Sequence, residues 1–235
     1  MKKISIFLFL LSNFISFLNA SEQLIVVIAD NFNTPTAQLK CFQKQDARYV
    51  QTGETIAVNL GRNGLGWGIG EQKIDHSQED PIKHEGDGKA PAGIFTLGSV
   101  FGYADAQESK MPYLQASADL ICIDDSRSKY YNQLIKIRSD IAINSFEWML
   151  RQDRLYEIGL NIHHNTQALA YRGSCIFLHV EKAPGSATSG CTSMAYDHLE
   201  ALLSWLDPHA EPLLIQIPSS YCSKIEQHYP GICAE

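Results

Sequence analysis

Cys175-Ile176-Phe177-Leu178-His179-Val180 is an apolar run with one histidine near its end, and Thr188-Ser189-Gly190-Cys191-Thr192-Ser193-Met194 follows it. The run is too short for a helix and predicts a buried strand over 176–180. Between the two lies Ala183-Pro184-Gly185-Ser186-Ala187, a stretch of small and turn-forming residues. A histidine at the end of a strand is rigidly held, and a cysteine after a glycine turn is exposed. A loop of this kind brings His179 and Cys191 together, the arrangement a thiolate nucleophile needs.

A free thiol is mostly protonated at neutral pH, and an imidazole beside it or the donor end of a nearby helix favours the thiolate. Attack on an amide carbonyl produces an oxyanion. The backbone N–H groups of Ser189, Gly190 and Cys191, released from regular pairing by the turn, are the expected donors for it. At Gly190 a Cβ would obstruct both turn and substrate. Cys191, His179, Gly190 and Ser189 are therefore the candidate catalytic residues.

Outward from this stretch, further short apolar runs bounded by Gly, Pro, Asn or Asp predict strands over 24–29, 55–60, 93–97, 134–137, 157–162 and 213–217. Two helices are expected. One starts near Ser145 and carries Phe146, Trp148, Met149 and Leu150. The other starts at Asp197, where Asp197 and Glu200 form a capping box, buries Leu199, Leu202, Leu203 and Leu206 on one face, and stops at Pro208. The fold class is mostly β with a few packed helices. The glycines of Gly61-Arg62-Asn63-Gly64-Leu65-Gly66-Trp67-Gly68-Ile69-Gly70 lack dinucleotide-loop spacing and read as turns between strands. Gly86-Asp87-Gly88-Lys89 is no phosphate loop, since no Ser or Thr follows the lysine and Pro91 blocks a helix start.

Leu178-His179 followed by Thr188-Ser189-Gly190-Cys191-Thr192-Ser193-Met194 resembles the signature of the YkuD-type L,D-transpeptidase catalytic domain, a histidine followed by a Ser/Thr-His-Gly-Cys turn. Lys89-Ala90-Pro91-Ala92-Gly93-Ile94-Phe95 resembles that family's Thr-Pro-x-Gly-x-Phe segment. Together the blocks cover about residues 50–217. The resemblance implies a β-sandwich-like fold and a reaction on peptidoglycan stem peptides: Cys191 attacks the carbonyl before a terminal D-alanine, holds the stem as a thioester, and passes it to an amine. Water as acceptor would make the enzyme an L,D-carboxypeptidase, and loss of catalysis would leave a cell-wall binding protein. Three departures stand out: Ser189 replaces the histidine before Gly-Cys, Ser193 replaces the arginine or asparagine two residues after the cysteine, and the loop from His179 to Cys191 is short. Thr188 keeps the hydroxyl of the Ser/Thr position and, with Ser193, is a candidate for substrate binding.

Asn161-Ile162-His163-His164-Asn165 reads first as a polar strand end facing solvent. Its functional alternative gives His164 or Asn165 a grip on a substrate carboxylate or amide. No HExxH and no spaced Cys or His pairs are present, so neither a metal nor a cofactor is expected. Asp124-Asp125 and Lys129-Tyr130-Tyr131-Asn132 read as surface turns that shape a groove. Of six cysteines, Cys222 and Cys233 are expected to pair, Cys41 and Cys122 to form a long-range bridge, and Cys175 to be a buried inert thiol.

Residues 1–20, with Lys2 and Lys3 before an apolar run and Ala20 before Ser21, read as a secretory signal peptide. The expected mature chain, 21–235, is a single domain exported to the periplasm or beyond, where disulfides persist. Removal of the leader leaves 17 basic against 26 acidic residues, a net charge of −9, which argues against a nucleic-acid partner. The expected partner is the peptidoglycan stem, with no stable membrane insertion after cleavage.

Overall fold

A computed structural model describes residues 21–139 and 144–233, so the expected leader over 1–20 lies outside the described residues. The chain is mostly β, as its composition of short apolar runs predicts. The central strand β1 (Gln23–Ala29) carries apolar residues on both faces and is buried along almost its whole length, because both faces of the sheet are covered there. It pairs antiparallel with β2 (Thr36–Gln45) and parallel with β13 (Leu213–Pro218). The strand β2 returns as β3 (Arg48–Asn59), and β13 lies against the long β5 (Ala90–Gly102), whose start is flanked by the short β4 (Leu65–Trp67).

On the far side, β10 (Ile158–Ile162), β11 (Phe177–Val180) and β12 (Thr192–Met194) follow one another, β10 antiparallel and β12 parallel to β11. The strand β12 touches β3 through one pair, Ser193 with Asn59, while β10 also pairs with β5. These contacts close β10, β11, β12, β3, β2, β1, β13 and β5 into a circuit, which removes free edges from the main sheet. A short strand β6 (Tyr113–Gln115) extends β5. A satellite sheet of β7 (Leu120–Ile123), β8 (Leu134–Lys136) and β9 (Phe146–Trp148) stands beside the β10–β11 face.

The expected helix near Ser145 is corrected by β9. Phe146, Met149 and Leu150 have helical spacing, but the segment is too short to form a helix on its own, and pairing with β7 leaves Trp148 and Leu150 exposed while Met149 is buried. The second helix, α1 (Tyr196–Trp205), does bury Leu199, Leu202 and Leu203, with Leu206 just beyond it. Its cap is corrected: Ala195 is the N-cap and no side chain caps it, since the helix starts one residue before Asp197. Asp197 lies in the first turn, where its charge faces the positive end of the helix. A short helix, α2 (Cys222–Glu226), follows β13.

The strand β2 escapes the sequence pattern for a physical reason. A register shift between Leu39 and Cys41 breaks strict alternation, so Leu39 and Phe42, three apart, both reach the core. The glycine stretch after β3 is turn-rich as expected, yet it also contains β4.

Cys222 and Cys233 are bonded as expected. The long-range bridge is corrected: Cys122 pairs with Cys175, and Cys41 remains a free thiol on β2. Cys175 is thus no inert thiol. It is the covalent tie between the satellite sheet and the approach to β11, across a sequence separation of 53. Replacing both Cys122 and Cys175 by alanine is expected to cost about 2–5 kcal/mol of stability. Urea titration with intrinsic fluorescence measures it, and an unchanged midpoint would mean that packing alone holds the two sheets.

Candidate active site

The parallel pairing of β11 and β12 sets Leu178 against Thr192 and His179 against Ser193. Because side chains alternate along strands, one face of this pair carries Phe177 and His179 beside Cys191 and Ser193. That face floors a cleft of about 450 Å³, lined by His179, Thr188, Ser189, Gly190, Cys191 and Ser193. The loop before Cys191 is held by Thr188, whose hydroxyl donates to the Cys191 carbonyl at 2.6 Å and accepts from the Gly190 N–H at 3.1 Å.

That second bond corrects the expected oxyanion donors. The Gly190 N–H is engaged by Thr188, whereas those of Ser189 and Cys191 have no acceptor among the described residues. Gly190 has φ of +155°, and a Cβ there would come within 3.1 Å of the Lys89 carbonyl. The Lys89–Phe95 block, read in the sequence as a partner of the cysteine motif, therefore touches it directly. A second link runs beneath: Thr192 donates to Gln216 at 2.7 Å, and Gln216 donates to the Pro91 carbonyl at 2.8 Å.

Cys191 is a free thiol, 9% exposed. Its Sγ accepts from the Phe177 N–H at 3.3 Å and donates to the Cys175 carbonyl at 3.4 Å. Burial, joined by the negative charge of Glu147, pushes this thiol up to about 12, against the opposing effects of the Phe177 N–H, Lys83 and Arg151. His179 is 6% exposed, and burial holds its imidazole down at about 4. Its Nδ1 lies 2.8 Å from the Val180 carbonyl. A carbonyl only accepts, so Nδ1 carries the proton and Nε2 keeps a lone pair. The resting pair is thus a neutral thiol and a neutral imidazole, not the thiolate expected from proximity. The helix end invoked for that thiolate is displaced, because β12 separates Cys191 from α1.

The other lining residues come from distant segments. The satellite sheet and its turns supply Asp124 and Glu147, the segment before β10 supplies Arg151 and Tyr156, and the segment before β5 supplies Lys83 and Glu85. The Tyr156 ring meets the His179 ring edge-on at 5.4 Å, and its hydroxyl donates to Glu147 at 2.5 Å. Burial raises the Glu147 carboxyl, a shift that Tyr156 opposes and Asp124 reinforces. The groove role read for Asp124 agrees with its place on this wall. None of Lys83, Glu85, Glu147 or Tyr156 stood out in the sequence, since none lies in either of the two motif blocks.

His164 and Asn165 do not line the cleft, and they do not face solvent either. His164 is 1% exposed, its Nδ1 accepting from the Ile69 N–H at 3.2 Å and its Nε2 set 2.9 Å from the Arg172 carbonyl. The Asn165 amide donates to the Leu169 and Gly173 carbonyls, both at 3.0 Å. Both are fastened to the cleft wall by Asn132, which donates to the His164 and Asn165 carbonyls and accepts from the Cys175 N–H at 2.9 Å. The same Cys175 backbone accepts from the Cys191 thiol through its carbonyl, which links this bracing to the cleft. Among the described residues no group of His, Cys, Asp and Glu is arranged to hold a metal ion, and no helix is long and apolar enough to cross a membrane.

The family model of the L,D-transpeptidase catalytic domain matches residues 26–215. No curated protein and no solved structure matches the chain.

Proposed function

This chain belongs to the L,D-transpeptidase catalytic domain (YkuD) family, and from that membership we propose that it transfers peptidoglycan stem peptides through a thioester on Cys191. The family is one of cysteine-dependent L,D-transpeptidases. The observation that carries the assignment to these residues is a free, buried thiol sharing one cleft with an imidazole whose Nδ1 is fixed on the Val180 carbonyl.

The chemistry follows from the neutral resting pair. As Sγ forms its bond to the carbonyl carbon of the donor stem, its proton passes to Nε2 of His179. The negative charge that develops on the carbonyl oxygen is met by the free N–H groups of Ser189 and Cys191. Collapse breaks the C–N bond, and the imidazolium returns the proton to the departing amine, so D-alanine leaves intact. The acceptor amine then attacks the thioester, His179 takes its proton, and the thiol is regenerated. Water in place of the amine gives the carboxypeptidase outcome. Export to an oxidising compartment is part of the proposal, supported by two disulfides among the described residues.

The test incubates the protein with tetrapeptide muropeptides and reads both products and intact protein by mass spectrometry. Loss of D-alanine, with a stem-peptide adduct on the Cys191 peptide, is expected. Turnover without any adduct on Cys191, or no turnover at all, would overturn the proposal.

A further inference from the structure

Lys83 is 3% exposed, an unusual burial for an ammonium. Asp87 sets its position at 2.6 Å and the His84 carbonyl takes a second N–H at 2.8 Å. Asp87 is itself held by the backbone N–H groups of His84 and Lys89, at 2.7 and 2.9 Å, and so acts as a fixed anchor. The third ammonium N–H has no acceptor among the described residues. The group borders the cleft at the nucleophile's turn: Nζ lies 3.6 Å from where a Cβ on Gly190 would be.

Of the other charges along the cleft, Lys182 is exposed, Asp124 keeps one buried oxygen without a partner, and three more are held by neighbours. Glu85 accepts from Tyr131 and from Ser174, and Glu147 from Tyr156. The Arg151 guanidinium is gripped by Asp153 through two nitrogens. Lys83 is the buried cation beside Cys191 with a donor to spare. In the proposed donor stem only an amide nitrogen and one Cα separate the scissile carbonyl from the free carboxylate of the leaving residue. A cation beside the nucleophile's turn is within reach of that carboxylate.

We propose that Lys83 is a specificity-determining residue that binds the terminal carboxylate of the donor stem, restricting the enzyme to stems with a free C-terminal acid. This rests on the function proposed above and adds to it a requirement on the leaving residue. A charge-assisted hydrogen bond of this kind is expected to favour acid over amide by about 10- to 100-fold.

The experiment compares a stem tetrapeptide ending in D-alanine with its C-terminal carboxamide, using the full chain, Lys83→Met and Lys83→Arg. The wild-type protein is expected to prefer the acid in kcat/KM, chiefly through KM. Lys83→Met is expected to bring the two substrates within about 3-fold of each other, and Lys83→Arg to retain part of the preference. Misfolding would lower both substrates alike and leave their ratio unchanged, so the ratio reads the contact itself. Equal turnover of acid and amide by the wild-type protein, or a preference that survives Lys83→Met, overturns this assignment alone. Turnover of neither substrate overturns it together with the function on which it rests.

Discussion

Cys191→Ala is expected to lower acyl transfer by at least about 10³-fold, the scale on which removal of a catalytic nucleophile acts. The fold should survive. The substitution removes one sulfur atom from a wall already held by the Cys122–Cys175 bond, and it leaves the Phe177 N–H without its acceptor, a cost of about 1–3 kcal/mol. Cys191→Ser is expected to fare little better, since a hydroxyl in this dry setting is a far weaker nucleophile than a thiol. The check is product formation from muropeptides alongside a urea midpoint for each variant. Full activity in a folded Cys191→Ala protein would remove the cysteine from the chemistry.

His179→Ala is expected to lower kcat/KM by about 10²- to 10⁴-fold through loss of the base. The wild-type pH profile is the sharper test. With the imidazole held at about 4 and the thiol at about 12, kcat/KM should be flat from about pH 5 to pH 9. It should fall on the acid side as pH drops through about 4, because a protonated imidazole cannot take the thiol proton. An acid limb near the ordinary histidine range would indicate a solvated imidazole and overturn the neutral-pair mechanism. His164 shares the same depressed range for the same reason, burial. Both histidines bind fewer protons folded than unfolded between about pH 6.5 and pH 4, so stability is expected to decline with acidity over that window.

Much of the mostly β fold and the nucleophile's setting could be read from residues close together in the chain. The apolar run ending at His179, the small-residue loop and the Gly190-Cys191 turn all describe local geometry, and local geometry follows from backbone freedom and side-chain size. The block at Lys89–Phe95 belonged with them because its carbonyl packs against Gly190. Local patterns misled in two places: the bulge hid β2, and the spacing of Phe146, Met149 and Leu150 suggested a helix where pairing with β7 makes a strand.

By itself, then, the sequence determined the family, the mostly β architecture, and the meeting of Cys191 with His179 in one cleft. Tertiary structure decided the rest: that Cys175 pairs with Cys122, that His164 and Asn165 brace the wall, and that Lys83, Glu147 and Tyr156 surround the thiol. It also decided the protonation of the pair, because desolvation and Coulomb interactions act through space and depend on which remote segments exclude water. Residue order along the chain carries no distance of that kind until the strands have closed.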